Sequence, residues 1–121
     1  MEVLLDSSFI ISCIRKRIDF IAQLTEQGFI VCVPREVMQE MKDLRKRSKL
    51  SHEDRIAIDV ALDMFSKRDI KKTSMGHGKV DDWLIKKGKE GIHIATLDSE
   101  VKRQIPHKIV IFSAQGRVGV E

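Results

Sequence analysis

The 121-residue chain is 42% hydrophobic and 33% charged with a net charge of +4, which is typical of a globular domain and excludes a disordered chain. Its length predicts one domain over residues 1–121, and no apolar run approaches the roughly 20 residues of a membrane span. Because no signal-peptide pattern opens the chain and its two cysteines, Cys13 and Cys32, lack metal-ligand spacing, we expect a cytoplasmic protein with reduced thiols and no membrane association.

Hydrophobic periodicity predicts that strands and helices alternate along the chain. Apolar runs of strand length predict buried strands, and apolar residues at three- and four-residue spacing predict helices. Residues 113–121 contain few apolar anchors and receive no element. The predicted strands cover residues 3–5, 29–33, 69–73, 92–96 and 108–112, and the predicted helices cover 7–27 with a break near 15–17, 35–47, 52–66, 80–89 and 99–104.

This alternation predicts an α/β fold, a three-layer α/β/α sandwich with a central parallel sheet of four or five strands. Trp83 lies on the apolar side of its helix, so we expect a core residue rather than a base-stacking platform. Glu36 reads as an ordinary surface acid of its helix. In the helix over 52–66, the residues expected in the core are Ile56, Val60, Ala61, Met64 and Phe65.

Several carboxylates fall where a parallel sheet would gather them at one edge. Asp6 ends the first strand and Asp98 lies just past the fourth, while Glu40 lies on the helix after the second strand. Asp81 and Asp82 open the helix before the fourth strand. Each of these acids alone is also explained as a helix cap or a surface charge, since acids are common at helix starts.

Carboxylates that share one pocket repel each other and stay ionised together only when a cation joins them. Oxygen ligands without a Cys or His cluster favour Mg²⁺ or Mn²⁺ over zinc. Such ions activate a water molecule and stabilise the attacking and leaving oxygens of an in-line displacement. An acidic pocket in a basic protein therefore predicts hydrolysis of a nucleic-acid phosphodiester.

Positive charge is concentrated in the middle of the chain. Residues 42–72 carry ten Lys or Arg against six acids, whereas residues 1–41 carry four against six. We expect a basic run in this segment to contact the phosphates of a nucleic-acid backbone, which contribute affinity but do not select a sequence. The alternative is an ordinary solvated helix surface. The run consists of Lys42, Arg45, Lys46, Arg47 and Lys49.

Four segments resemble the motifs of the PIN domain ribonucleases in both order and spacing. They are VLLDSSFI at residues 3–10, the stretch from Val33-Pro34 through Val37 to Glu40, VDDWLI at 80–85 and IATLD at 94–98. The resemblance extends from Val3 to about Phe112. It implies a parallel α/β/α sandwich and a Mg²⁺- or Mn²⁺-dependent endonuclease that acts on single-stranded or structured RNA.

Residue by residue, the acidic positions of the family fall on Asp6, Glu40, Asp81 and Asp98, which are thereby implied as catalytic and metal-binding residues. Thr96 matches the small hydroxyl residue near the last acid. Asp82 is the alternative to Asp81, which aligns with the single acid that the family carries at this helix start.

The doublet at 81–82 and the stretch 95–105 resemble most the branch concerned with ribosomal RNA maturation in archaea and eukaryotes. Toxin ribonucleases paired with antitoxins are the alternative branch. The implied partners are RNA, a second copy in a homodimer, and ribosome-processing factors or an antitoxin. Two other classes stay open, a non-catalytic RNA-binding module and a phospho-accepting receiver domain, although a receiver would carry an acidic pair near its first strand.

Overall fold

The computed structural model describes residues 1–121 and contains six strands and six α-helices. A short 3₁₀-helix over Ser113–Gln115 precedes the last strand. The strands are β1 (Glu2–Leu5), β2 (Ile30–Pro34), β3 (Lys71–Thr73), β4 (His93–Ala95), β5 (Lys108–Phe112) and β6 (Arg117–Val120). The helices are α1 (Ser7–Arg15), α2 (Phe20–Glu26), α3 (Arg35–Arg45), α4 (His52–Lys67), α5 (Val80–Lys89) and α6 (Ser99–Lys102).

The strands form one sheet in the order β3-β2-β1-β4-β5-β6, in which only β6 runs antiparallel to its neighbour. The chain adds β2 and β3 on one side of β1 and then places β4 on the other side. Strand order therefore reverses between β1 and β4, and at such a switch point a crevice opens outside the carboxyl ends of the strands. Leu5 pairs with Ala95, so these two strands end level with each other.

Side chains that alternate along the strands pack into two separate cores on the two faces of the sheet. Val3 and Leu5 belong to a cluster of 20 buried residues that includes side chains from α1, α2, α3 and α4. Leu4, which points to the opposite face, belongs to a smaller cluster of six with Leu84 of α5 and Val101 of α6. The predicted three-layer sandwich is thereby confirmed, with the thinner layer on the side of α5.

The predicted break in the first helical segment is also confirmed. Arg17 adopts a left-handed backbone with φ of 58°, and the Asp19 carboxylate then caps α2 by accepting a hydrogen bond from the Ala22 N–H at 3.1 Å. The change of direction lets Phe9 and Phe20 pack edge to face, with ring centroids 6.2 Å apart. None of the helices combines the length and the hydrophobicity that crossing a lipid bilayer requires.

The expected sheet of four or five strands is corrected to six, because residues 117–120 form a strand where none is predicted from the sequence. Gln23 of α2 and Gln27, the C-cap residue of that helix, hold this strand through side-chain hydrogen bonds. The Val118 N–H donates to Gln23 Oε1 at 2.8 Å, and Gln27 Nε2 donates to the Val118 carbonyl oxygen at 2.8 Å. Because side-chain amides distant in the sequence hold the strand, it forms although its local apolar pattern is weak.

The expected burial of α4 is wrong at two positions. Ile56 is 48% exposed and Val60 is 41% exposed. The helix carries two parallel apolar stripes, and packing of α4 against α1 and α3 selects the other one. That buried stripe consists of Ala57, Ile58, Ala61 and Phe65, of which the last two are predicted correctly.

Candidate active site

Asp6 is the first residue after β1, and its side chain is held from both sides. The Asp6 N–H donates to the Ala95 carbonyl oxygen at 2.9 Å, which extends the β1–β4 ladder by one step. Oδ1 accepts from the Ser7 N–H at 2.9 Å, and Oδ2 accepts from Thr96 Oγ1 at 2.8 Å. Asp6 therefore does cap α1, and these hydrogen bonds fix the orientation of a carboxylate that is only 6% exposed.

Asp98 lies at the same edge of the sheet and is linked to Asp6 through one hydroxyl group. Thr96 Oγ1, which donates to Asp6, also accepts from the Asp98 N–H at 3.1 Å. Asp98 Oδ1 caps α6 by accepting from the backbone N–H of Glu100 at 2.8 Å and of Val101 at 3.4 Å. The structure thus brings the two strand-end acids together at the switch point between β1 and β4.

Two helices deliver further carboxylates to this edge. Ser7 Oγ donates a hydrogen bond of 2.5 Å to Glu40 Oε1, which fixes the side chain of α3 beside the start of α1. Asp81, in the first turn of α5, lies close enough for the charges of Asp98 and Glu40 to perturb its titration. Its neighbour Asp82 lines a separate cleft. Asp81, rather than Asp82, is therefore the fourth acid at this edge.

The crowding of these acids changes their proton affinities. Burial raises the pKa of Asp6, and the negative charges of Glu40 and Asp81 raise it further. Partial desolvation raises the pKa of Asp81, and the charges of Asp98 and Glu40 add to the effect. Since a cation among these groups would reverse the repulsion, the cluster is electrostatically suited to a positive ligand.

The donor set of this acidic cluster fits Mg²⁺ or Mn²⁺ in its chemistry, because it consists of carboxylate oxygens alone. Nevertheless, no group of three His, Cys, Asp or Glu side chains has the geometry of a formed metal site. The hydrogen bonds of Asp98 fall on Oδ1 and that of Glu40 falls on Oε1, which leaves one oxygen of each for another ligand. Side chains at this edge would have to rotate inward to enclose an ion.

The basic run extends from α3 past its C-terminal end, and its members differ in whether they are free to contact a phosphate. Arg45 forms a bidentate pair with Asp59 of α4, with Nε–Oδ1 at 2.5 Å and Nη2–Oδ2 at 3.0 Å. It therefore joins two helices and is not a free cation. The other four predicted phosphate contacts are exposed and form no ion pair, namely Lys42, Lys46, Arg47 and Lys49.

Glu36 has a role that its sequence context does not show. Its carboxylate accepts hydrogen bonds from Ser74 Oγ and from the Met75 N–H, both at 3.1 Å. The bond from Met75 is the main cause of the lowered pKa of Glu36. Glu36 thereby anchors the glycine-containing loop over residues 74–79 to α3, and only the fold reveals this pairing across more than 35 positions.

No protein-family model matches the chain, and no curated protein matches it either. Among solved structures, the fold of this chain is similar to that of a PIN domain along almost its whole length. One such structure is that of the PIN domain endonuclease Utp24, with a TM-score of 0.71 and 22% sequence identity, covering 99% of this chain and 90% of that chain. The PIN-like fold implied by the sequence motifs is confirmed.

Proposed function

We propose that this protein is a divalent-metal-dependent endoribonuclease that hydrolyses phosphodiester bonds of RNA. The observation that carries the proposal is the link from Asp6 through Thr96 to Asp98 at the switch point of the sheet. Glu40 and Asp81 lie near enough to raise the pKa of Asp6. The similarity to a PIN domain endonuclease supports a nuclease on this fold.

In this proposal Asp6, Asp98 and Asp81 hold Mg²⁺ or Mn²⁺, which would lower the pKa of a bound water and neutralise charge on the phosphate. Asp6 is positioned for this by the hydrogen bonds of Ser7 and Thr96. Glu40, fixed by Ser7 Oγ, orients the attacking water from the α3 side. All groups that the reaction needs are then acids, and no protein nucleophile is required.

The four free cations of the basic run supply contacts to the RNA backbone. They follow Glu40 along and beyond α3, so phosphates bound there belong to a strand that passes the acids. Backbone contacts of this kind position the strand without reading its bases. Binding should therefore weaken as salt concentration rises.

Cleavage of an end-labelled single-stranded RNA by the wild-type protein and by Asp6→Asn, in Mn²⁺ and in EDTA, tests the proposal. We expect cleavage only by the wild type in Mn²⁺. Asp63→Asn changes an exposed acid of α4 that pairs only with Lys67 on the same helix, and this matched control should keep its activity. Full activity of Asp6→Asn, or cleavage that continues in EDTA, would rule out the proposed site.

A role in ribosomal RNA processing, within this proposed activity, is supported by the resemblance of residues 81–82 and 95–105 to that branch of the family. A precursor fragment of ribosomal RNA should then be cut at discrete positions, whereas the mature RNA of the same region resists cleavage. Indiscriminate cleavage together with growth arrest on expression would favour the toxin branch instead.

A further inference from the structure

A cleft of about 560 Å³ opens on the thinner face of the sheet, next to the acids. Leu4 and Cys32 form part of its apolar base, from the central strands β1 and β2. Residues of the 74–79 loop line one side, and Trp83 and Lys86 of α5 line another. Nothing in the proposed chemistry of the acids uses this space.

The charge of the cleft is positive. Four of its lining residues are lysines, against two acids. An ion pair of 2.5 Å to Glu2 neutralises Lys71, and Lys87 pairs with an acid outside the cleft at 3.5 Å. Lys79 and Lys86 are exposed and form no ion pair, so two free ammonium groups face an open space.

Trp83 gives the cleft an aromatic surface. The side chain packs against the smaller core cluster, but it is only partly buried and also lines the cleft. Trp83 is therefore half-buried rather than a full core residue, and Lys87 Nζ lies over its ring, 5.8 Å from the centroid, where a stacked base would displace it. Proteins that bind single-stranded nucleic acids combine such a ring, on which a base stacks, with cations that follow the backbone.

The cleft adjoins the acidic cluster, although none of the four acids lines it. The two meet at the first turn of α5, where Asp81 faces the acids and Asp82 lines the cleft. Glu36 of α3 holds the loop wall in place through Ser74 and Met75. The end of the cleft at the first turn of α5 therefore lies beside the acids.

We propose that this cleft holds unpaired nucleotides of the RNA strand next to the bond that the acids cleave, with one base stacked on Trp83 and neighbouring phosphates on Lys79 and Lys86. The inference rests on the proposed nuclease function and deepens it by assigning a binding site for the strand outside the acids. Because bases of a duplex are already paired and stacked, a duplex cannot place one on Trp83. The cleft thus selects single-stranded segments.

The emission of Trp83 tests this directly, because the chain has one tryptophan and no tyrosine. A short oligouridylate added in EDTA, which suppresses cleavage, should quench the emission saturably, and the same oligomer annealed to its complement should not. Lys79→Ala with Lys86→Ala should weaken binding roughly tenfold and lower the logarithmic salt slope by about 1.4, the value for two single-strand phosphate contacts. The matched control is Lys89→Ala on the same helix, outside the cleft, which should leave both quantities unchanged.

A second pair of variants separates stacking from mere packing. Trp83→Phe keeps an aromatic face and should retain most of the affinity in fluorescence anisotropy, whereas Trp83→Leu should lose several-fold. Unchanged emission with RNA, alongside intact Mn²⁺-dependent cleavage, would overturn the cleft and leave the nuclease standing. Saturable quenching without any metal-dependent cleavage would support the cleft and overturn the nuclease.

Discussion

Thr96 and Asp6 are joined by a hydrogen bond of 2.8 Å between Oγ1 and Oδ2, although 90 positions separate them in the chain. The same hydroxyl oxygen accepts from the Asp98 N–H, so one buried group connects both strand-end acids. The Asp6 carboxylate and the Asp98 backbone therefore share one hydrogen-bonding partner. This coupling explains why Thr96, which has no charge, matters for the proposed site.

Replacing Thr96 by Val should separate this coupling from the acids themselves. The change keeps the shape of the side chain but leaves Asp6 Oδ2 without its donor, which should cost about 1–3 kcal/mol of unfolding free energy. Metal-dependent cleavage should fall with it, and Thr96→Ser should restore both quantities. Urea unfolding and initial cleavage rates provide the measurements, and a Val variant with wild-type activity would show that Thr96 only stabilises the fold.

Stability should depend on pH through the crowded acids. The pKa values of Asp6 and Asp81 are raised above the unfolded value of about 3.9. In the pH window between the unfolded and folded pKa values, the folded state therefore binds more protons than the unfolded state. The stability of the folded state therefore falls as pH rises through the window. Since Asp6→Asn removes a carboxyl whose pKa is raised by burial and by its acidic neighbours, the stability of the variant relative to the wild type should increase as pH rises from about 4 toward neutrality.

Chemical denaturation at a series of pH values measures this gain. Asp63→Asn, on the exposed face of α4, serves as the reference because that acid lies outside the cluster. If the stability difference between wild type and Asp6→Asn stays constant across this range, burial and the neighbouring acids do not raise the pKa of Asp6 in the folded state.

Binding of a divalent cation should relieve the same repulsion and stabilise the fold. At a concentration 100 times its dissociation constant, an ion that binds only the folded state adds about 2.7 kcal/mol. We expect Mn²⁺ to raise the thermal midpoint of the wild type and to have little effect on Asp98→Asn. Differential scanning fluorimetry measures the two shifts. Equal shifts in both proteins would place the ion elsewhere.

The close packing around Gly88 leads to a prediction about stability that does not depend on the acids. A Cβ atom at this position of α5 would lie 2.3 Å from Ile105 Cγ2 and 2.9 Å from Ile105 Cβ. Gly88→Ala should therefore destabilise the protein by about 1–3 kcal/mol, although alanine favours a helix. A second change, Ile105→Ala, removes the Cγ2 methyl that the new Cβ would meet and tests relief of the clash. An increase in the stability of Gly88→Ala alone would contradict the close packing of α5.

The convergence of Asp6 and Asp98 could be predicted because it follows from topology alone. Each acid comes after a buried strand, and the carboxyl ends of neighbouring parallel strands share one edge. The roles of Ser7 in fixing Glu40 and of Arg45 in joining two helices could not be predicted. Those contacts depend on which faces of α1, α3 and α4 pack together, and several apolar stripes on these helices compete for that choice.

The sixth strand could not be predicted from the sequence either. Its apolar content is low, with Val118 and Val120 on either side of a glycine, and local periodicity gives no reason to form a strand. What holds it is pairing with β5 and the two amides of Gln23 and Gln27. Interactions that span more than 90 positions leave no mark on a local pattern.

The glutamine contacts also govern how copies of this protein can meet. Unpaired backbone groups at the margin of a sheet invite a strand from another molecule, which is a common route to fibrils and swapped dimers. Here the amide and carbonyl of Val118 are already occupied, and the opposite margin is a three-residue strand that begins with Lys71 and Lys72. Both margins discourage strand exchange between copies of this chain.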